Sequence, residues 1–260
     1  MAVDKTPERI RAMFGEIAPR YDLLNHLLSA GIDRRWRRRT VRLAPATGDG
    51  PVLDVCTGTG DLALAYWRSR HGKAPVVGVD FCRPMLRLAQ DKARLAGAAG
   101  EVTFLEADAL CLPFADDLFQ VVSIAFGLRN LADPDRGLRE MARVCRPGGR
   151  VAVLEFSLPR IWPLRAIYGW YFRRVLPRIG QALARNRRGA YNYLPASVGE
   201  FLPREVLVRK MEQAGLGEVR CYPLTFGIAA VYVGVKKGLG IGDWGLENAD
   251  ATPQSLIPNP

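Results

Sequence analysis

One stretch constrains this chain more than any other: Pro51-Val52-Leu53-Asp54-Val55-Cys56-Thr57-Gly58-Thr59-Gly60-Asp61-Leu62-Ala63, an apolar run that breaks into small residues and restarts with a helical look. Such a run reads as a buried parallel strand feeding a tight turn and a helix. Gly58 and Gly60 open backbone conformations closed to other residues and remove the side chains that would hold a nucleotide-like ligand away. Twenty residues past Gly60, Val76-Val77-Gly78-Val79-Asp80 repeats the pattern and closes on one carboxylate, the placement of an acid that grips ribose hydroxyls. A bare strand-to-helix turn would account for the glycines alone; the acid at that distance favours an adenosine site.

The rest of the chain fits around these two strands. Residues 1–45 read as helices: Thr6-Pro7 opens one as cap and first-turn proline, and Phe14, Ile17, Tyr21, Leu24 and Leu28 make an apolar face to pack on the main domain. Strands and helices then alternate: 52–56, 61–70, 76–80, 84–96, 101–106, 119–126, 135–144 and 151–156, with Arg146-Pro147-Gly148-Gly149 stopping the last helix. That alternation signals a parallel sheet covered on both faces. A helix over 203–214 ends at Gly215, and runs at 218–224 and 228–235 read as an antiparallel hairpin closing the sheet. The expected architecture is one α/β domain over 1–237, Rossmann-like and seven-stranded, with an amino-terminal helical cap, a helical insertion over 157–200 and a disordered tail over 238–260.

Charge is concentrated in two places. The net charge of +11 implies an anionic partner, which charge alone does not name. Asp33 is followed by five arginines around Trp36, a solvated helix face or a lipid or phosphate contact. Between Glu155 and Glu200 no acidic residue occurs, while Arg160, Arg165, Arg173, Arg174, Arg178, Arg185, Arg187 and Arg188 stand beside Trp162, Tyr168, Trp170, Tyr171 and Phe172. Aromatic residues beside arginines suit an anionic membrane interface, and the same segment suits a lid over the sheet's active end. The five cysteines are odd in number and form no Cys-x-x-Cys pair, and only His26 and His71 are present, so no metal centre or disulfide framework is expected. The first residues carry charge rather than an apolar leader, and no run reaches a membrane span, which points to a cytoplasmic protein that touches the inner membrane face at most.

Several further blocks sharpen the reading: Leu112-Pro113-Phe114, Phe126-Gly127-Leu128-Arg129-Asn130, Arg146-Pro147-Gly148-Gly149-Arg150, Leu154-Glu155-Phe156-Ser157 and Leu176-Pro177-Arg178-Ile179-Gly180. With the glycine turn they resemble the ubiquinone and menaquinone biosynthesis C-methyltransferases, from Met13 to about Lys237. The resemblance implies a class I fold and methyl transfer from S-adenosylmethionine to a ring carbon of a prenylated quinol, either demethylmenaquinol or the 2-polyprenyl-6-methoxy-1,4-benzoquinol of ubiquinone biosynthesis. It assigns the cofactor to Thr59, Asp80 and Asp108-Ala109, with Asp54, Gly58 and Gly60 of the turn. Ala125 stands where the family often has serine, so a hydroxyl contact to the cofactor is lost.

Carbon methylation needs an electron-rich ring, a donor held in line and dry surroundings. Arg129, just past the fourth strand, is the expected stabiliser of a phenolate, with Tyr21 and Asp22 beside the chemistry and water, Asp22 or His26 taking the proton. The rivals are an NAD-dependent oxidoreductase, because Gly58-x-Gly60-x-x-Ala63 with Asp80 partly satisfies that fingerprint, and an RNA-binding protein or RNA methyltransferase, because the chain is basic. No Asn-Pro-Pro-Tyr block or RNA-binding module appears, so a nucleic-acid partner is not expected. The sequence leaves the oligomeric state open, a homodimer included.

Overall fold

The computed structural model describes residues 4–29, 31–70, 74–157, 159, 162–170, 174 and 190–238. Its strands are β1 (Val52–Val55), β2 (Val76–Asp80), β3 (Val102–Glu106), β4 (Phe119–Ala125), β5 (Cys145–Phe156), β6 (Leu216–Leu224) and β7 (Ala229–Lys236). They join in one sheet in the order β3-β2-β1-β4-β5-β7-β6. The first five are parallel, and β7 pairs antiparallel with both β5 and β6. Every residue of β1 and all but the last of β4 are buried, which explains their continuous apolar runs: a strand covered on both faces has no solvent side on which to place polar residues.

The helices are α1 (Pro7–Ile17), α2 (Tyr21–Leu28), α3 (Ile32–Leu43), α4 (Asp61–Arg70), α5 (Arg83–Leu95), α6 (Pro134–Val144), α7 (Trp162–Trp170), α8 (Ala190–Gly199) and α9 (Arg204–Gln213). Fully buried Leu53, Val122, Ile124, Leu138 and Met141 fill one side of the sheet, and Val52, Leu62, Tyr66 and Val121 belong to the core on the other. Each such aliphatic side chain contributes about 1.5–3 kcal/mol by leaving water.

Local readings needed adjustment in four places. Thr6 does precede α1, but its side chain makes no capping bond; its own N–H donates to Asp4 Oδ1 at 3.0 Å. The face that α1 buries is Ile10, Met13 and Ile17, packed with Cys82, Met85 and Tyr193, and Phe14 and Tyr21 of the expected stripe pack against the same cluster; the side chains of Leu24 and Leu28 lie outside the description. Arg146-Pro147-Gly148-Gly149 follows the end of α6 yet lies within β5, as an irregularity: Phe119 pairs with Cys145 and Val121 with Arg150. The hairpin strands begin and end within two residues of the expected positions. Of the insertion expected over 157–200, α7 and α8 are described; Arg173, Arg178, Arg185, Arg187 and Arg188 lie outside the described residues, as does the tail beyond Gly238.

Candidate active site at the carboxyl ends of the strands

The open edge of a parallel sheet binds ligands where strand order reverses, here between β1 and β4. A cavity of about 220 Å³ lies at that edge, and it brings together Gly58, Asp80, Asp108, Ala109 and Tyr21 from the expected set. Gly58 has φ +56°, and a Cβ built there would meet nothing within 4 Å, so the glycine keeps cavity space open. Gly60 (φ +81°) serves the fold: a Cβ there would approach Phe104 to 2.9 Å.

Asp80 holds the turn and faces the cavity at once. Its Oδ2 accepts from the Gly58 N–H at 2.9 Å and its Oδ1 from the Cys82 N–H at 2.8 Å. Burial raises its carboxyl to about 6, against the pull of those backbone donors. With the Phe81 N–H also acting on it, the carboxylate still keeps lone-pair capacity for a ligand hydroxyl. On the neighbouring strand end, Asp108 is exposed and accepts from the Leu110 N–H at 2.9 Å, beside buried Ala109. An open glycine, a carboxylate opposite it and apolar walls from Phe81, Met85 and Leu110 fit an adenosyl group.

Asp54 and Thr59 sit behind this cavity, lining an adjoining recess of about 30 Å³. Asp54 accepts from Thr57 Oγ1 at 2.7 Å and Ser123 Oγ at 2.9 Å, and burial raises it to about 6. It therefore braces the glycine turn from below. Thr59 donates its hydroxyl to Asp22 Oδ1 at 2.6 Å, and Lys92 Nζ reaches Asp22 Oδ2 at 2.8 Å and Thr59 Oγ1 at 3.1 Å. Lys92 also pairs with Asp61. This cluster pins α2 onto the glycine turn, so Asp22 is an anchor with both oxygens engaged rather than a carboxylate facing the cavity.

Arg129 departs furthest from expectation. The short 3₁₀ turn Leu128–Asn130 sends Leu128 and Arg129 inward, while Phe126, Gly127 and Asn130 line the cavity. Arg129 is 5% exposed, and its guanidinium pairs with Glu155 at 2.9 Å. Its Nη1 also donates to the Phe126 carbonyl at 2.6 Å, and it lies 5.3 Å from the Phe156 ring centre. A charge already neutralised and absent from the lining is not placed to meet a phenolate directly. Burial is the reason: a charged residue following a buried strand takes the partner that β5 offers.

Phe126 (φ +57°) and Cys56 (φ +52°) hold left-handed conformations just past the ends of β4 and β1. Both line the cavity, a concentration of backbone strain typical of sites that must be held in one shape.

The ubiE/COQ5 methyltransferase family model matches residues 2–236. The chain belongs to that family. A demethylmenaquinone methyltransferase of Thermus thermophilus is 53% identical over 222 residues, covering 85% of this chain and 99% of that protein. One of Deinococcus radiodurans is 47% identical over 231 residues, covering 88% and 93%. The ubiquinone/menaquinone biosynthesis C-methyltransferase of Geobacter sp. (strain M21) is 48% identical over 235 residues, covering 90% and 99%. Among solved structures, a methyltransferase of Thermotoga maritima aligns at TM-score 0.58 and 19% identity, covering 87% of this chain and 99% of that one. A putative methyltransferase of Bacillus halodurans aligns at 0.56 and 16%, covering 78% and 99%. At such identities the likeness speaks to the fold, which is that of the class I methyltransferases.

Sequence reading missed several residues of this methyltransferase. Lys5, Phe14, Cys56 and Asn130 line the cavity, and Tyr193 of α8 donates to Asn130 Oδ1 at 3.0 Å. Only Glu155 carried a local signal: a carboxylate inside the apolar run of β5 must find a cation. The two most family-specific blocks, one holding Arg129 and the other Glu155, are halves of one ion pair.

Proposed function

We propose that this methyltransferase methylates a ring carbon of a prenylated naphthoquinol, converting demethylmenaquinol to menaquinol. The observation that carries the choice of acceptor is that two relatives, at 53% and 47% identity, are named demethylmenaquinone methyltransferase. The benzoquinol of ubiquinone biosynthesis is the second reading, favoured by the dual name of the Geobacter relative.

The methyl donor is S-adenosylmethionine, which supplies an electrophilic methyl carbon on a sulfonium. Asp80 would accept from its ribose hydroxyls, Asp108 and the Ala109 amide would take the adenine edge, and Gly58 would leave room for the chain between them, all four lining the one cavity. On the acceptor side Tyr21 faces the cavity, and burial raises its phenol pKa, so it stays protonated and donates to the ring oxygen, whose own proton passes to water as the phenolate forms. Lys5 lines the same space and adds positive charge there. Arg129 acts one step back as a positioning residue, fixing the Phe126 carbonyl and with it the cavity wall. Asp22, through Lys92 and Thr59, fixes the helix that carries Tyr21. Ile10, Phe14 and Leu131 contribute an apolar lining that keeps water from the donor.

Quinone profiling by mass spectrometry of cells with and without this gene tests the reading. Loss of the gene should accumulate a naphthoquinone lighter by one methyl; accumulation of a benzoquinone precursor instead selects the second reading, and an unchanged profile rejects both.

A further inference from the structure

We propose that the outer face of α3, together with the turn between β6 and β7, docks this protein on an anionic bilayer beside its active site. On α3, Asp33, Trp36, Arg37, Thr40 and Val41 face inward. The residues left outside include Arg35, Arg38, Arg39 and Arg42, spaced i, i+3, i+4, i+7 and therefore one stripe. All four are exposed, and among the described residues none of their side chains makes an ion pair or hydrogen bond. Like charges at these spacings repel and weaken the helix that carries them. The stripe stays unneutralised within the described fold, ready for an external anion.

A groove of about 570 Å³ runs along the stripe, with Trp36 and Leu224 in its wall and Phe226 on its rim. Phe226 is 73% exposed. It sits in a turn whose three residues, Thr225, Phe226 and Gly227, have φ of +44°, +55° and +90°. The first two are unusual for side chains of any size, so the backbone is held against its preference while a large apolar ring points to water. Trp36 Nε1 donates to Thr225 Oγ1 at 2.8 Å, fastening this turn to the arginine helix. Pro159 packs beside Gly227, and α7 starts shortly after with Trp162, 79% exposed. Arginines flanked by protruding rings match lipid phosphates above acyl chains, where rings lie at headgroup depth.

The position of this face gives it a purpose. Leu224 pairs with Ala229, and Ala229 pairs with Phe156 at the carboxyl end of β5, so the turn lies on the same sheet edge as the cofactor cavity. The Trp36 and Phe126 rings stand 6.1 Å apart, and Phe126 is one of the residues lining that cavity. A bilayer on this face would meet the acceptor cavity at its rim. The purpose rests on the proposed lipid-borne acceptor; the docking itself rests on charge and exposure.

The test is flotation of the full chain with phosphatidylcholine vesicles, with and without phosphatidylglycerol, over a range of salt. The protein should partition onto the anionic vesicles, less so as salt rises. Reversing Arg35, Arg38, Arg39 and Arg42 to Glu should lower the partition coefficient at least about a hundredfold, since each basic residue near anionic lipid contributes about fivefold. Phe226→Ser should lower it about tenfold at low and high salt alike. Circular dichroism and S-adenosylmethionine affinity should match the parent in both variants. Equal flotation of parent and reversal variant overturns the proposal, as does a parent that ignores anionic vesicles or binds single-stranded RNA in their place. Methyl transfer to a demethylmenaquinol with a truncated side chain separates the two readings: its absence in every form rejects the assigned acceptor and leaves the vesicle result to decide docking.

Discussion

The carboxylates at the ends of β1, β2 and β3 each take one donor within three residues, whereas the polar groups past β4 and on α3 lean on partners from across the fold. Asp54 finds Thr57, Asp80 finds Cys82 and Asp108 finds Leu110. On the other side Arg129 waits for Glu155, Asn130 for Tyr193 and Trp36 for Thr225. A cofactor edge built from local turns can be specified by short motifs. An edge built from distant partners shares its integrity with the core, so single changes there should cost stability before they cost chemistry.

The largest test of that contrast is Glu155→Ala, which leaves the Arg129 charge buried without a partner. Urea denaturation should show a loss of about 3–5 kcal/mol, and Arg129→Met with Glu155→Leu should recover most of it. A loss near zero would erase the distinction between the two sides.

On the cofactor side, Asp80→Asn replaces an oxygen that accepts from the Gly58 or Cys82 N–H by an amide that cannot accept, so it should cost about 1–3 kcal/mol in denaturation and weaken S-adenosylmethionine binding about 10–100-fold by calorimetry. The pH dependence has a definite sign. Asp80 is raised to about 6 from 3.8 by burial, so its stabilising contribution is present below pH 3.8 and lost as pH rises through about 6. The ligand-free protein should therefore gain stability on moving from pH 7 toward 5 if this group and Asp54 dominate, while cofactor affinity falls about tenfold per unit below pH 6 because the protonated acid gives up an acceptor site. Affinity that is flat across that range would remove Asp80 from the ribose contact.

Two glycines sharpen the comparison at smaller scale. A Cβ at Gly127 would lie 2.5 Å from Cys56 Cβ, so Gly127→Ala should cost about 1–3 kcal/mol in denaturation. Gly58→Ala meets open space and should cost only about 1 kcal/mol for its left-handed backbone, its main effect falling on cofactor affinity. The smallest effect belongs to the surface: Arg83→Gln, which breaks an exposed pair with Glu106, should change stability by about 0.5 kcal/mol or less.

The alternation of strands and helices, the glycine turn and the spacing to Asp80 were legible because each follows from contacts between near neighbours in the chain. Periodicity placed most element boundaries within a few residues, and the terminal hairpin implied the antiparallel strand that closes the sheet. Arg129 shows where such reading stops. Its place after β4 was correct, but the direction of its side chain depended on a 3₁₀ turn and on Glu155, 26 residues away. Asp22 likewise read as a proton acceptor until Lys92, 70 residues on, was seen to hold it.

By itself, then, the sequence determined a doubly covered sheet, the glycine turn and the family, since hydrophobic period and short-range hydrogen bonding are written into consecutive residues. Only the tertiary structure decided which charges are neutralised inside and which stay bare: Arg37 is buried on Asp33 while Arg38 and Arg39 stand in solvent, although all three share one helix and one residue type. The reason is that a side chain's charge state and role depend on burial and on partners brought from elsewhere in the chain, and those are fixed when the helix packs, not when its residues are read.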